Sequence, residues 1–260
     1  LEGGIAIVDM RPPEAYKAGH IKGAVSIWRT DIERHDLAYG GMAIEKENLE
    51  RLLGSKGISD ANRVVVYDDK GCVDAARLWW ILKLYGHEKV SLLDGGLHAW
   101  KEILDTVATE RHPVEFSFSE LKEKHLNLDF EAFENLRKTE NVKLIDGRSY
   151  EEFDGQLMKD GAFLSGHIPG ALNQCYSGSI DFSEGGEMKL KPESDLRIIY
   201  EKLAMPDDTV IVYCHSGVRS AHTYMVLTEI LGYQNVYNYD GSWIEWSFKQ
   251  THPSEEFFTR

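Results

Sequence analysis

Short apolar runs alternate along the chain with longer segments whose hydrophobic residues recur at helical spacing. A run at 64–67 is followed by a helix-like segment at 73–85, and a run at 210–213 is followed by one that begins at Ser220. Apolar runs without polar alternation are typical of strands buried on both faces. Strands that alternate with helices in this way predict an α/β fold, in which a parallel sheet is covered by helices on both sides.

Much of this pattern occurs twice. An Asp-x-Arg triplet follows the first predicted strand at 9–11 and recurs at 146–148, and the block Gly-His-Ile-x-Gly-Ala stands at 19–24 and 166–171. Further pairs, each 146 residues apart, are Tyr67 with Tyr213, Asp94 with Asp240, and Trp100 with Trp246. A constant separation over such a long window indicates tandem duplication of one unit. We therefore predict two domains of the same fold.

The repeats set the expected domain boundaries. The first domain is predicted at 1–105, a linker at 106–117, and the second domain at 118–260. A helix-like segment at 118–139 precedes the second copy and has no counterpart before the first, so we expect the chain to lack an N-terminal helix. Residues 178–191 are rich in glycine and charge, which predicts a surface loop.

Composition narrows the function classes. Of the 260 residues, 42% are hydrophobic and 28% are charged, as in an ordinary globular protein, and the formal net charge is −14. That charge argues against nucleic acid or an anionic membrane as the main partner, and no apolar stretch is long enough to span a bilayer. Three cysteines without paired spacing predict free thiols, a cytoplasmic location, and neither a metal site nor another cofactor. Removal of a signal peptide would leave the periplasm as the alternative location. We expect a monomer.

The strongest chemical signal surrounds Cys214. The apolar run 210–213 ends at this cysteine, a six-residue loop reaches Arg219, and Ser220 suits the N-cap of the helix that follows. Backbone N–H groups at such a junction, together with the helix dipole, stabilise thiolate over thiol. Gly217 allows the loop to curl so that its N–H groups converge. The arrangement predicts a nucleophilic cysteine, with a small buried packing cysteine as the alternative.

The first copy lacks this chemistry. At the constant separation, Cys214 corresponds to Asp68 and Arg219 corresponds to Val73. A carboxylate at the nucleophile position places negative charge where an anion cradle needs the opposite, so we expect the first domain to be catalytically silent. Cys72 lies four residues beyond the aligned position, which predicts an unreactive thiol.

The tandem units, the Asp-x-Arg and Gly-His-Ile-x-Gly-Ala blocks and the cysteine loop together resemble the two-domain rhodanese family of sulfurtransferases. The resemblance covers nearly the whole chain and implies two α/β domains, of which only the second is catalytic. It implies that Cys214 takes the outer sulfur of a small anionic donor as a persulfide and passes it to cyanide or a thiol. It also implies that Arg148 binds the anionic group of the donor, although the triplet that contains it recurs in the silent copy and a structural role is the alternative. The loop residues Arg219, His215, Ser216, Gly217 and Val218 complete the predicted donor-binding set, with shaping of the loop as the alternative for Arg219 and a solvated rim as the alternative for His215 and Ser216.

The resemblance leaves two donors in competition. Ser216 in the middle of the loop is similar to the 3-mercaptopyruvate type of the family, but Asp154 stands where that type carries a second arginine. A carboxylate there is expected to repel a carboxylate donor, and Arg219 adds positive charge suited to a small dianion. We therefore favour thiosulfate over 3-mercaptopyruvate.

Two other function classes use similar physics. Phosphatases and arsenate reductases of the C-x5-R type need one more residue between cysteine and arginine than the C-x4-R loop from Cys214 to Arg219 contains. A sulfur carrier without turnover would form the same persulfide. Turnover of an aryl phosphate would indicate the first class, and a persulfide without rapid turnover would indicate the second.

Overall fold

The computed structural model describes residues 4–119, 127–183 and 187–253, which form two compact units. The first unit comprises Leu1–Arg34, Ala43–Leu126 and Ser179–Asp195. The second unit comprises His35–Met42, Asn127–Gly178 and Leu196–Arg260. Each unit thus includes one short segment from the other half of the chain. The predicted α/β class, with parallel sheets flanked by helices, is confirmed.

The first unit contains a four-stranded parallel sheet in the order β2-β1-β3-β4. Its strands are β1 (Ile5–Asp9), β2 (Ala24–Ser26), β3 (Arg63–Tyr67) and β4 (Val90–Leu92). Its helices are α1 (Pro13–Ala18), α2 (Lys46–Ser55), α3 (Val73–Leu84) and α4 (Gly96–Ala99). Side chains of the central strands such as Val8, Val64 and Val66 are fully buried, as expected when helices cover both faces of a sheet.

The second unit repeats this order and adds an edge strand, giving the sheet β5-β9-β8-β6-β7. Its strands are β5 (Asn127–Leu128), β6 (Val142–Asp146), β7 (Leu172–Asn173), β8 (Thr209–Tyr213) and β9 (Asn235–Tyr239). The helices of this half of the chain are α5 (Phe130–Leu136), α6 (Tyr150–Phe153), α7 (Glu193–Tyr200), α8 (Val218–Met225) and α9 (Ser242–Thr251), and α8 continues as a π-helical turn, Val226–Ile230. All strand pairs are parallel, so the carboxyl ends of β6 and β8 meet at one edge of the sheet.

The histidine of the Gly-His-Ile block makes the same contacts in both units. His20 stacks on Tyr16 with ring centroids 3.8 Å apart, and His167 stacks on Phe153 at the same distance. In each case the imidazole Nδ1 also lies within hydrogen-bond distance of the carbonyl oxygen of the residue on which it stacks. Contacts that persist in the unit without the Cys214 loop serve the fold, so we assign both histidines to the framework.

An aromatic core holds helix α9 against the sheet of the second unit. Phe133 stacks on Tyr239 with centroids 4.0 Å apart, and Trp243 stacks on Trp246 at 5.2 Å. Trp243 also donates its indole N–H to the carbonyl of Leu164 at 3.0 Å. Burial of large side chains stabilises a fold by about 1.5–3 kcal/mol each. The N-terminus of α9 is therefore firmly placed, and the cysteine loop depends on it.

The helix-like segment at 118–139 is only partly helical. Residues 120–126, which include Leu121, lie outside the described part of the chain. Beyond them, β5 precedes α5, and Asp129 separates the two as the N-cap of the helix, its carboxylate accepting a backbone N–H three residues on. A good N-cap residue fixes where a helix begins, which explains why this helix is shorter than the apolar periodicity indicates.

The surface loop predicted at 178–191 is partly buried. Residues 184–186 lie outside the described part of the chain, but Ile180 is only 1% exposed. Ile180 packs on the backbone of Gly71, where an added Cβ would approach its side chain to 2.7 Å. The prediction is wrong for this part because a single apolar side chain anchors an otherwise polar, glycine-rich segment.

Candidate active site around Cys214

Cys214 lies directly after β8, at the carboxyl end of the sheet, and is 1% exposed. The loop that follows ends at Gly217, whose φ of 76° is left-handed and which caps helix α8. Glycine adopts this conformation without the strain that a Cβ would introduce. The loop therefore turns back over the N-terminus of α8, where backbone N–H groups have no acceptor within the helix.

Ser242, at the start of α9, anchors this loop. Its hydroxyl oxygen accepts hydrogen bonds from the N–H groups of Cys214 and Gly217, both at 3.1 Å, and its O–H donates to the carbonyl of Tyr239 at 2.9 Å. The Gly217 amide, predicted to bind the donor, is thus engaged by Ser242 inside the protein. Ser242 gave no signal in the sequence, since it lies 28 residues beyond Cys214 and belongs to no local motif.

The backbone of α9 also holds the loop. The first helical N–H groups, those of Trp243 and Ile244, donate to the carbonyls of Cys214 and His215 at 3.0 and 3.1 Å. These N–H groups are among those that a helix leaves unpaired at its start. The carbonyls of the loop are therefore drawn towards α9, and the amide of Ser216 acts on the sulfur of Cys214.

The electrostatic surroundings of Cys214 favour its thiolate. Burial by itself raises the pKa of the thiol. Four groups lower this pKa: the charge of Arg219, the hydroxyl and the amide of Ser220, and the amide of Ser216. Together they outweigh the effect of burial and bring the pKa of Cys214 below its ordinary value. A lower pKa increases the thiolate fraction at neutral pH, and the thiolate is the nucleophilic form.

Ser220 lies inside helix α8 and not at its end. The helix begins at Val218 with Gly217 as N-cap, so the prediction that Ser220 caps it is wrong. The left-handed glycine starts the helix earlier than the polar residue indicated. The Ser220 hydroxyl is fully buried and has no oxygen or nitrogen partner among the described residues, which leaves it available to the sulfur of Cys214.

Arg219 forms a buried ion pair with Glu152. The guanidinium donates to both carboxylate oxygens, at 2.6 and 2.8 Å, and the two side chains are 14% and 6% exposed. Although burial raises the pKa of Glu152, its hydrogen bonds with Arg219 lower that pKa to about 2. The positive charge that was expected to attract a dianionic donor is therefore compensated by a carboxylate.

Arg148, predicted to bind the donor, is enclosed by the fold. Its side chain is 2% exposed, and it donates to both carboxylate oxygens of Asp146 and, at 2.7 Å, to the carbonyl of Gly166. Its guanidinium carbon lies 4.6 Å from the ring centroid of Trp243. These contacts direct the cation into the core, and the geometry does not support donor binding by this side chain.

The same network surrounds Arg11 in the first unit. Arg11 donates to both carboxylate oxygens of Asp9 and to the carbonyl of Gly19 at 2.6 Å. A network that forms equally well in the unit without the Cys214 loop belongs to the framework of the fold. We therefore reassign Arg148 from donor binding to the support of its unit.

His215 is buried in the loop and uncharged near neutral pH. Its Nε2 lies 3.0 Å from the carbonyl of Asp160, so this nitrogen carries the proton and donates. Burial, assisted by the nearby charges of Arg219 and Lys159, lowers the pKa of His215 to about 4. His215 therefore offers no positive charge to an anionic donor at pH 7.

Ser216 and Val218 flank Gly217 in the loop. Ser216 is 8% exposed and packs against Gly41, whose φ is +90° and where an added Cβ would lie 2.4 Å from that of Ser216. A residue with a side chain therefore does not fit at position 41. Val218 is 4% exposed and opens α8, where its N–H belongs to the unpaired first turn. The part of both residues in donor binding stays a prediction.

Asp154, expected to repel a carboxylate donor, is exposed to solvent. It follows α6, and its carboxylate accepts hydrogen bonds from the backbone and side-chain amides of Gln156 at 3.0 and 2.6 Å. Exposed charges are screened by water and salt. This placement gives no support to the expected repulsion, so the choice between donors has to rest on other chemistry.

In the first unit, the side chain of Asp68 accepts the N–H groups of its own loop. It follows β3 as Cys214 follows β8, and it is 1% exposed. Its carboxyl oxygens accept the N–H groups of Lys70 and Cys72 at 2.9 Å and of Ala75 at 3.0 Å. The loop retains its converging N–H groups but fills them with its own side chain, which supports the expectation that this unit is silent.

Asp68→Ala is expected to lower the free energy of unfolding by about 2 kcal/mol or more, because two buried N–H groups and one partly buried N–H group lose their acceptor. Chemical denaturation measures the change. Asp68→Asn, which keeps an acceptor oxygen, should lose less. An Asp68→Ala protein as stable as the wild type would contradict this role.

Within the described ranges, no helix is both long and apolar enough to cross a bilayer, and no cluster of three or more His, Cys, Asp or Glu side chains is placed to hold a metal ion. Cys175 follows β7 with its Sγ 3.1 Å from Ser177 Oγ.

Comparison with known proteins identifies the family of this chain. The sequence-family model of the rhodanese-like domain matches this chain twice, at residues 1–103 and 129–249. A thiosulfate sulfurtransferase of Corynebacterium glutamicum is 37% identical over 245 residues, which cover 89% of this chain and 78% of that protein.

Two solved structures are similar at lower identity. The anaerobic ergothioneine biosynthesis enzyme from Chlorobium limicola, in complex with its natural substrate trimethyl histidine, superposes with a TM-score of 0.85 at 23% identity, covering 97% of this chain and 64% of that one. A variant of EanB in complex with ergothioneine gives 0.84 at 23%, covering 99% and 65%. The chain spans less than two thirds of both, and at this identity the likeness shows the fold alone.

Proposed function

The chain belongs to the rhodanese family of sulfurtransferases, and on this premise we propose that it moves the outer sulfur of thiosulfate to cyanide or a thiol through a persulfide on Cys214. One observation carries the proposal. The Cys214 thiol is buried at the end of β8 with a lowered pKa, whereas the same place in the first unit is filled by the Asp68 carboxyl group. The scaffold therefore forms an anion cradle in both units and supplies a nucleophile in one.

In the first half-reaction, the Cys214 thiolate attacks the outer sulfur of thiosulfate. A bond forms between Sγ and that sulfur, the S–S bond of thiosulfate breaks, and sulfite leaves with the electron pair. No proton moves. The persulfide carries negative charge, and the Ser216 amide, the Ser220 amide and hydroxyl and the Arg219 charge, which favour the thiolate, favour this charge as well.

In the second half-reaction, a nucleophilic acceptor attacks the terminal sulfur of the persulfide. The bond between the two persulfide sulfurs breaks, and its electron pair returns to Sγ as the thiolate of Cys214. Cyanide leaves as thiocyanate, and a thiolate acceptor leaves as its own persulfide. The low pKa of Cys214 helps here too, since a more stable thiolate is a better leaving group.

The choice of thiosulfate rests on the leaving group. Sulfite is a stable anion and departs without a proton. Cleavage of the C–S bond of 3-mercaptopyruvate instead releases the enolate of pyruvate, whose carbon a general acid has to protonate. His215 cannot serve as this general acid at neutral pH, because its pKa of about 4 leaves the imidazole neutral. Its remaining N–H, at Nε2, is bound to the carbonyl of Asp160. The identity of 37% to a protein named thiosulfate sulfurtransferase supports the same donor.

We expect kcat/KM with cyanide as acceptor to be higher for thiosulfate than for 3-mercaptopyruvate by roughly tenfold or more, because general acid catalysis is commonly worth 10²–10⁴-fold. Steady-state rates with the two donors at one pH measure the ratio. A clear preference for 3-mercaptopyruvate would overturn the choice of donor. A persulfide that forms but turns over no faster than it decays would instead indicate a sulfur carrier.

A further inference from the structure

The carboxylate of Glu152 does not make the capping hydrogen bond that its position in α6 favours. It is the third residue of α6 counted from its N-cap, Ser149, whose hydroxyl oxygen accepts the Glu152 N–H at 3.3 Å. In a complete capping box, the glutamate side chain returns to the N–H of the cap residue. Here both carboxylate oxygens bind Arg219 of α8 instead, 67 residues along the chain.

The duplicated fold offers an internal control for this pair. Counted from the shared Asp-x-Arg triplet, Glu152 corresponds to Ala15 of α1. At the separation of 146 residues that relates Tyr67 to Tyr213, Arg219 corresponds to Val73. The two partners are therefore absent together from the unit that has no nucleophile. The deeper Asp–Arg pairs, by contrast, are present in both units. The fold does not need the Glu152–Arg219 pair, and its presence follows that of Cys214.

We infer that Glu152 is a positioning residue, which clamps the Arg219 guanidinium beside the sulfur of Cys214 so that the cation stabilises the thiolate and the persulfide. The inference rests on the proposed function and names a residue that sets the reactivity of that same site. Two parallel N–H···O bonds fix a planar guanidinium in direction as well as distance. Without Glu152, the guanidinium of Arg219 would move towards solvent, because a cation is better solvated there. It would then lie farther from the sulfur of Cys214, which is 1% exposed.

A simple counter-charge would have the opposite effect on the sulfur. Glu152 is itself negative, so its charge alone disfavours the thiolate, and removing that charge should lower the pKa of Cys214. Loss of a clamp should raise the pKa of Cys214, because the cation moves away. Other titratable groups also act on this pair. Lys159 and Arg148 lower the pKa of Glu152, and Tyr176 raises the pKa of Arg219.

The test is the pH midpoint of thiolate formation at Cys214, followed by ultraviolet absorbance of the full chain against Cys214→Ser. In Glu152→Gln we expect the midpoint to rise by about one pH unit, a tenfold change in ionisation, and kcat for thiosulfate at neutral pH to fall. Glu134→Gln is the matched control, since Glu134 binds both Nε and a terminal nitrogen of Arg137 in the same unit. Its midpoint should equal that of the wild type.

Glu152→Asp keeps the charge but is one methylene too short to hold both nitrogens. The clamp predicts a midpoint between those of the wild type and Glu152→Gln, whereas a charge effect predicts no change. A lowered or unmoved midpoint in Glu152→Gln, or a wild-type midpoint in Glu152→Asp, would overturn the inference. The midpoint needs no sulfur donor, so it reports on the clamp even if thiosulfate is not turned over.

Discussion

Cys214→Ser is expected to lower kcat for sulfur transfer from thiosulfate to cyanide by about 10³-fold or more, the loss typical when a nucleophile is removed. A serine hydroxyl stays protonated at neutral pH and forms no persulfide. The substitution nearly keeps the volume of a buried side chain, so the protein should fold as before. Steady-state rates and the melting temperature together measure the effect.

The two remaining cysteines provide the controls. Burial and the neighbouring charges of Asp68 and Asp94 raise the pKa of the Cys72 thiol, which leaves it protonated and inert. Cys175 is partly buried beside Ser177. Cys72→Ser and Cys175→Ser should both keep the wild-type kcat. Residual transfer in Cys214→Ser that disappears only when a second cysteine is replaced would contradict the assignment.

Arg148→Met is expected to reduce the free energy of unfolding by about 3–5 kcal/mol, because it leaves the fully buried carboxylate of Asp146 without its cation. Denaturant titration measures the loss. If the variant does not accumulate, Arg148→Lys provides the measurement. Lysine keeps the charge but cannot reproduce the bonds to both Asp146 and Gly166, so a smaller loss is expected.

Arg11→Met is the matched substitution in the first unit. Arg11 makes the same contacts with Asp9 and Gly19, so the loss of stability should be of the same size. In both proteins KM for thiosulfate, measured on the folded fraction, should stay close to the wild-type value. A stable Arg148→Met protein with a strongly raised KM would restore the donor-binding role that the sequence indicated.

The fold was largely predictable because its signals are local and occur twice. Strands β3 and β8 are repeated apolar runs, and their last residues, Tyr67 and Tyr213, are separated by the same 146 residues as the other repeated pairs. The helices after them show regular hydrophobic spacing. The errors lie in the connecting segments. The extent of α5 depends on the Asp129 cap, and the buried part of 178–191 depends on the contact of Ile180 with Gly71.

The candidate site was predictable only where its residues are contiguous. Cys214 and Arg219 lie in one loop, and the physics of a strand-to-helix junction is readable from their order. Glu152 carried a local signal, the Ser-x-x-Glu spacing from Ser149, but that spacing predicts a cap and not a partner 67 residues away. Ser242 holds the loop through a contact that only the folded chain creates.

The most direct test of a persulfide at Cys214 is mass spectrometry of the full chain after incubation with thiosulfate and removal of the excess. The proposed mechanism predicts a mass increase of one sulfur atom, located on the peptide that contains Cys214, lost on addition of cyanide and absent from Cys214→Ser. An unmodified Cys214, or the added sulfur on Cys72 or Cys175, would contradict it.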